Sequence, residues 1–238
     1  TEDSFWCCTG TGFENHARYN EVIYSYTDDA LYVNLFIASE LDWHERGLRV
    51  RQETLFPETE TTRLILSCEK NVSLTLCVRY PTWAEGLSLT INGTPEPLTA
   101  QPGEYIALTH TWTDGDTIEI HVPMRLQLEP LPGAPDWVAV VYGPIVLAGE
   151  LGHENMPDPY LKDLYTRMTP VNGWPTPPVP EFVGIPETIL SGIQPVANHP
   201  LTFHTVGIGR PCDVTLIPFF RLHHQRYTVY WRVRSTDP

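Results

Sequence analysis

The sequence predicts a mainly β chain: an antiparallel β-sandwich entered through one helix. Three observations carry that expectation. Apolar and polar residues alternate with period two in about nine short runs, turn signals separate those runs, and a helical period of 3.6 appears only near the N-terminal end. At 238 residues, with 42% hydrophobic and 18% charged side chains, the chain has ample material for a buried core.

The helical segment comes first. Phe13, Ala17, Tyr19, Ile23, Tyr24 and Tyr26 fit an amphipathic helix from Thr11 to about Tyr26, stopped by Asp28-Asp29. Thr11 and Glu14 have the spacing of a capping box, which would start the helix at Thr11. The adjacent thiols of Cys7 and Cys8 would then sit just outside a helix N-terminus. Unpaired amides and the helix dipole there favour a thiolate, the form that both metal binding and nucleophilic attack require.

Strands follow in the runs Leu31–Ile37, Leu48–Leu55, Thr62–Cys68, Val72–Tyr80, Leu87–Ile91, Glu104–Leu108, Thr117–Val122, Arg125–Leu128 and Trp137–Val141. Asn92-Gly93, Pro102-Gly103, Asp114-Gly115 and Pro132-Gly133 mark turns between them. From 151 to 200 the texture changes: ten of the 23 prolines lie there, which suggests a long irregular connection over the sandwich surface with a short helix near Leu161–Met168. Strand signals return at Leu201–Val206, Asp213–Phe220 and Tyr227–Val233. Three strands seldom form a core alone, so they should join or lean on another sheet. The expected organisation is a helical segment at 1–28, a sandwich at 29–150, and a Pro-rich connection with final strands at 151–238.

Charge and cysteine content exclude several functions. Fifteen Lys and Arg against 29 Asp and Glu give a net charge of −14, which repels nucleic acid and an anionic membrane surface. The longest apolar run, Trp137–Gly149, is too short to span a bilayer. Five irregularly spaced cysteines make no disulfide framework. Cys68 and Cys212 read as small buried hydrophobes, and Cys77 alternates onto the face opposite Cys68, so those two should not meet across their hairpin.

The pair Cys7-Cys8 supports three readings: a strained vicinal disulfide, a structural pair, or a metal-thiolate site. Zinc takes Cys, His and carboxylate donors, but no second cysteine pair exists, and Glu14 and His16 have the simpler roles of cap and helix-face residue. Gly10-Thr11-Gly12 lacks the third glycine and the βαβ context of a nucleotide loop. Asn71-Val72-Ser73 and Asn92-Gly93-Thr94 match a glycosylation sequon at expected turns. Most of the seven tryptophans suit core packing, although some could stack on sugars.

The string Ser4-Phe5-Trp6-Cys7-Cys8-Thr9-Gly10-Thr11-Gly12-Phe13-Glu14-Asn15-His16, followed by Asp29-Ala30-Leu31-Tyr32-Val33-Asn34-Leu35-Phe36-Ile37, closely resembles the zinc-dependent β-L-arabinofuranosidases of glycoside hydrolase families 127 and 146. Trp137–Gly149 and Leu216–Trp231 resemble later parts of the same proteins. The resemblance implies the last helix of a truncated (α/α)6 barrel ahead of β-sandwich domains. It implies Cys7 as nucleophile and zinc ligand and Cys8 as a second ligand, with the other ligands and the acid/base glutamate upstream of Thr1. It further implies a plant-type arabinose-containing glycan as substrate and a fragment inactive by itself, and it leaves a homodimer open. A secreted or periplasmic parent enzyme would suit such a substrate. The alternative is a non-catalytic carbohydrate-binding or accessory β-sandwich module.

Overall fold

Inward-facing aliphatic residues at every second position draw the first part of the chain into two sheets around one core. The computed structural model describes residues 7–156 and 177–234, and of residues 7–9 the backbone alone. It contains two compact units, Phe5–Met124 and a second that runs from Arg125.

The first unit begins with helices α1 (Cys7–Ala17) and α2 (Asn20–Ile23). Ten strands follow: β1 (Tyr24–Tyr26), β2 (Ala30–Val33), β3 (Ser39–Trp43), β4 (Leu48–Thr54), β5 (Thr61–Cys68), β6 (Val72–Arg79), β7 (Ser88–Ile91), β8 (Thr94–Pro95), β9 (Tyr105–Trp112) and β10 (Thr117–His121). They form a four-stranded sheet, β1-β2-β6-β9, and a six-stranded sheet, β3-β4-β5-β10-β7-β8. Leu31, Val33, Leu74, Leu76, Ile106 and Leu108 from the first sheet meet Leu48, Val50, Leu64, Leu66, Leu89, Ile118 and Ile120 from the second in a single core. This is the expected sandwich, with one departure from antiparallel order: β2 and β6 run parallel.

Two expectations change here. The helix does not run to Tyr26; it ends at Ala17, and after α2 the residues Tyr24–Tyr26 form β1, paired with Leu31–Val33. Hydrogen bonding to β2 prevails over the helical apolar period in that segment. Strands β5 and β6 are not a hairpin, since β5 pairs with β4 and β10 whereas β6 pairs with β2 and β9. Cys68 and Cys77 therefore lie in different sheets, both as free thiols.

Asn92 and Gly93 close the β7–β8 hairpin with φ of 51° and 78°, the paired positive values that a tight hairpin turn needs. The Asn92 side chain is engaged at both ends. Its Oδ1 accepts from the Thr117 amide at 2.9 Å, and its Nδ2 donates to Asp116 Oδ1 at 2.8 Å. Asp116 Oδ2 accepts from the Thr113 amide at 2.7 Å. Burial pushes the Asp116 carboxyl up, but bonds from Thr113 and Asn92 and the nearby His110 outweigh it and hold the carboxyl below its ordinary value.

The second unit comprises β11 (Leu126–Leu131), β12 (Ala134–Tyr142), β13 (Ile145–Glu150), β14 (Glu181–Val183), helix α3 (Pro186–Gly192), β15 (Ile193–Pro195), β16 (Phe203–Thr205), β17 (Gly209–Arg210), β18 (Thr215–Pro218), β19 (Tyr227–Thr228) and β20 (Tyr230–Arg234). One sheet runs β15-β16-β18-β13-β12-β20-β14-β17, with β11 on β12 and β19 on β13. Because β12 pairs with β20 and β13 with β18, these two strands belong with the C-terminal end, and the units divide at 124/125 instead of near 150. The 151–200 stretch is not wholly a surface connection, since β14 lies inside the sheet and its Phe182 is fully buried. The expected helix at Leu161–Met168 lies outside the described residues. Cys212 is exposed, contrary to its reading as a buried hydrophobe. It follows the cis Arg210–Pro211 peptide in the loop between β17 and β18, where no strand period turns it inward.

Phe182 stacks on Trp231 with centroids 4.6 Å apart and an interplanar angle of 12°, and both side chains are fully buried. Gly149 lies directly beneath that tryptophan, where a Cβ would fall within contact of the indole ring. We expect Gly149→Ala to destabilise the second unit by about 1–3 kcal/mol through overpacking, read as a lowered urea midpoint. Asp116→Asn tests the first unit. The native carboxyl is depressed, so its stabilisation is present above the unfolded value of about 3.9 and is lost as pH falls through the folded value. The variant should be about 1–3 kcal/mol less stable at neutral pH, and its stability should fall less steeply than wild type below pH about 4.

Candidate functional site

Cys7 and Cys8 lie within α1 instead of preceding it. Thr11 and Glu14 consequently fall inside the helix and do not start it. Gly10 and Gly12 are helical too, although each glycine weakens a helix interior by about 1 kcal/mol relative to alanine. The side chains of Cys7 and Cys8 lie outside the described residues.

From Gly10 to Val22 the helical segment is exposed, and it presents Phe13 (70%), Tyr19 and Val22 to the surface. Glu14 and His16 are exposed as well. His16 meets the Tyr19 ring edge-on at 5.5 Å, and Asn15 donates to the Tyr19 hydroxyl at 3.2 Å. These contacts are local to the helix. Among the described residues no three His, Cys, Asp or Glu side chains converge as metal donors.

The helix is fixed to the sandwich at its C-terminal end. Ile23 is buried, and its carbonyl accepts from the Asn34 amide at 2.9 Å. The Asn34 side chain donates to Val22 O at 3.2 Å and to Ser25 Oγ at 3.1 Å, and it accepts from the Tyr105 hydroxyl at 2.7 Å. Behind it, Gln52 is 2% exposed and donates to the carbonyls of Leu35 at 3.1 Å and Ile37 at 2.8 Å. The Tyr24 hydroxyl bonds with Ser39 Oγ at 3.1 Å. Burial pushes that hydroxyl's pKa up against its hydrogen bonds with Ser39 and Gln52, which keeps it protonated.

Asn34, Gln52 and Tyr24 are the positioning residues that the sequence reading passed over. Gln52 left a signal, because it continues the inward phase of Leu48 and Val50 as a polar residue at a core position. The half-buried Cys68 and the buried Cys77 offer poor nucleophiles. Burial, followed by the charges of Asp114 and Asp116, pushes Cys68 up, and burial pushes Cys77 up against its bond with Tyr32.

Comparison with known proteins agrees with this architecture. Residues 30–124 match the family described as the β-L-arabinofuranosidase GH127 middle domain, and residues 127–233 match a family described as a domain of unknown function. Among curated proteins, none matches the sequence. Three solved structures share the fold. A glycoside hydrolase superposes with a TM-score of 0.70 at 20% identity, over 97% of this chain and 40% of its own. A GH127 β-L-arabinofuranosidase from Geobacillus stearothermophilus T6 gives 0.65 at 21% identity, over 96% and 37%. A GH127 β-arabinofuranosidase gives 0.61 at 18% identity, over 89% and 36%. The chain thus spans about two-fifths of the length of these proteins. It shares its fold with a β-rich part of these proteins. Through residues 30–124 it matches the middle domain of the GH127 β-L-arabinofuranosidases.

Removing the Gln52 amide should show how far the sandwich holds the helix. Gln52→Leu leaves the Leu35 carbonyl without its side-chain donor and the Ile37 carbonyl with Ser39 Oγ alone, so we expect a loss of about 1–3 kcal/mol. Amide hydrogen exchange should rise in Ile23–Tyr26 and 34–39 before it rises in β5 or β10.

Proposed function

We propose that this chain is the C-terminal, β-rich portion of a retaining glycosidase acting on β-L-arabinofuranosides, with Cys7 as its nucleophile. The observation that supports the reading most is the placement of Cys7 and Cys8 in the helix that leads into the segment matching the GH127 middle domain. A retaining glycosidase needs a nucleophile on one face of the anomeric carbon and an acid/base on the other, commonly two carboxyl groups about 5–5.5 Å apart. In the proposed reaction the Cys7 sulfur attacks the anomeric carbon and the leaving oxygen takes a proton from an acid. Water then displaces the sulfur, and the configuration is retained.

Thiolate sulfur is a donor that zinc accepts, and the pair Cys7 and Cys8 would supply two of the four ligands of a tetrahedral site. A bound zinc would keep the thiol ionised at neutral pH. The helix N-terminus adds a smaller bias in the same direction. The remaining ligands and the acid/base are proposed to come from the portion of the enzyme that corresponds to the rest of the relatives' length, and a chain with two donors should hydrolyse little by itself.

The test uses the natural polypeptide that contains this chain. Cys7→Ala should lower hydrolysis of an aryl β-L-arabinofuranoside by roughly 10³-fold or more, and Cys8→Ala should reduce bound zinc measured by metal analysis. Full turnover by the Cys7→Ala protein would refute the nucleophile assignment, and a zinc-free active enzyme would refute the metal.

A further inference from the structure

Among the described residues the first unit has four sheet edges, and three of them are closed to a further strand. Edge strand β1 has three residues, β8 has two and carries Pro95, and β3 carries Glu40 and Asp42 paired with Arg49 at 3.3 and 3.1 Å. Short edges, prolines and charges are the usual means of refusing a partner strand. Strand β9 has none of them. It is eight residues long, Tyr105-Ile106-Ala107-Leu108-Thr109-His110-Thr111-Trp112, without proline, lysine, arginine or carboxylate.

The direction of its free backbone groups follows from the ladder. The Tyr80 amide bonds to Glu104 O at 2.9 Å, and the Thr75 amide turns the other way, to Asp29 O at 3.0 Å. In an antiparallel pair the bonding residues alternate, so Glu104, Ile106, Leu108, His110 and Trp112 face β6. Tyr105, Ala107, Thr109 and Thr111 therefore aim their N–H and C=O groups away from the sheet. They face a groove of ≈ 400 Å³ between Tyr105–His110 and the segment that carries Glu96, Pro97, Thr99 and Ala100.

We propose that this groove receives an extended segment of a cationic partner polypeptide, which adds to the sheet as a strand beside β9. Backbone pairing would supply affinity, and Glu96 and Glu104 would supply sign. Both carboxylates line the groove, neither is in an ion pair with a described residue, and Glu104 Oε2 is held by the Gln101 amide at 2.8 Å. A second copy of this chain is disfavoured as occupant, because each copy carries a net charge of −14.

The test titrates the full chain with a short peptide alternating threonine and valine between terminal lysines, read by amide hydrogen exchange. The expected result is slowed exchange at Tyr105, Ala107, Thr109 and Thr111, with weaker binding of the same peptide ended by glutamates. Ala107→Pro deletes one outward N–H at an edge position and should weaken binding about tenfold; Ala107→Val should not. Glu96→Gln with Glu104→Gln should weaken binding and flatten its salt dependence. Unchanged exchange at those four amides at saturating peptide overturns the proposal, as does equal affinity for the two peptides. Protection that grows with protein concentration alone, together with a dimer in sedimentation, assigns the edge to a second copy and also overturns it. If Ala107→Pro does not fold, the exchange pattern of the wild type and the charge variant decide.

Discussion

The first unit depends on one buried amide. Between β2 and β3 the chain leaves the four-stranded sheet and enters the six-stranded one, and residues 34–38 make that crossing without a strand partner. Carbonyls that cross a core must find donors or lose about 1–3 kcal/mol each. Gln52, projecting inward from β4, donates to Leu35 O and Ile37 O and so satisfies the crossing from inside. The same cluster holds Tyr24 and Ser39, while Asn34 fixes the end of α2. Sandwich closure and helix placement are therefore a single arrangement: what lets the chain change sheets also fixes where the helix leaves it.

The alternation that builds the core was legible residue by residue. Leu48, Val50 and Gln52 in β4, Leu64 and Leu66 in β5, and Ile118 and Ile120 in β10 all turn inward as their period demands. Which strand pairs with which was not legible. Asn71 read as part of a hairpin turn between β5 and β6, but the strand after it enters the opposite sheet. A turn signal encodes a change of direction over a few residues. The choice of sheet is settled by distant partners, here Ala30–Val33 in parallel with Thr75–Val78, which no local pattern records.

The candidate site divides in a similar way. The adjacency of Cys7 and Cys8 is visible in the sequence, and so is their closeness to a helix start. The capping-box spacing of Thr11 and Glu14 suggested a helix start at Thr11; Cys7 to Gly10 are instead already helical, and the helix accepts both glycines. In the second unit, proline density hid structure for the opposite reason. Pro186 is the N-terminal residue of α3, where a missing N–H costs nothing, and β14 just before it is only three residues long. Proline marked the beginning of an element there, not the absence of one.

On the proposed reading, a nucleophile must be held to within about half an ångström of its productive position. Helix α1 is a weak platform by itself: it is exposed from Gly10 onward and carries two glycines. Its described tether is the α2–β1 junction, where buried Ile23 and the Asn34 bonds connect it to the core. A helix anchored at one end fixes its axis poorly at the other, about 1.5 Å of rise per residue away. The exposed Phe13, Tyr19 and Val22 are apolar positions through which a second support would act. The sandwich thus sets the register of the Cys7-Cys8 helix along the chain, and the orientation that chemistry would demand calls for packing against that apolar surface as well.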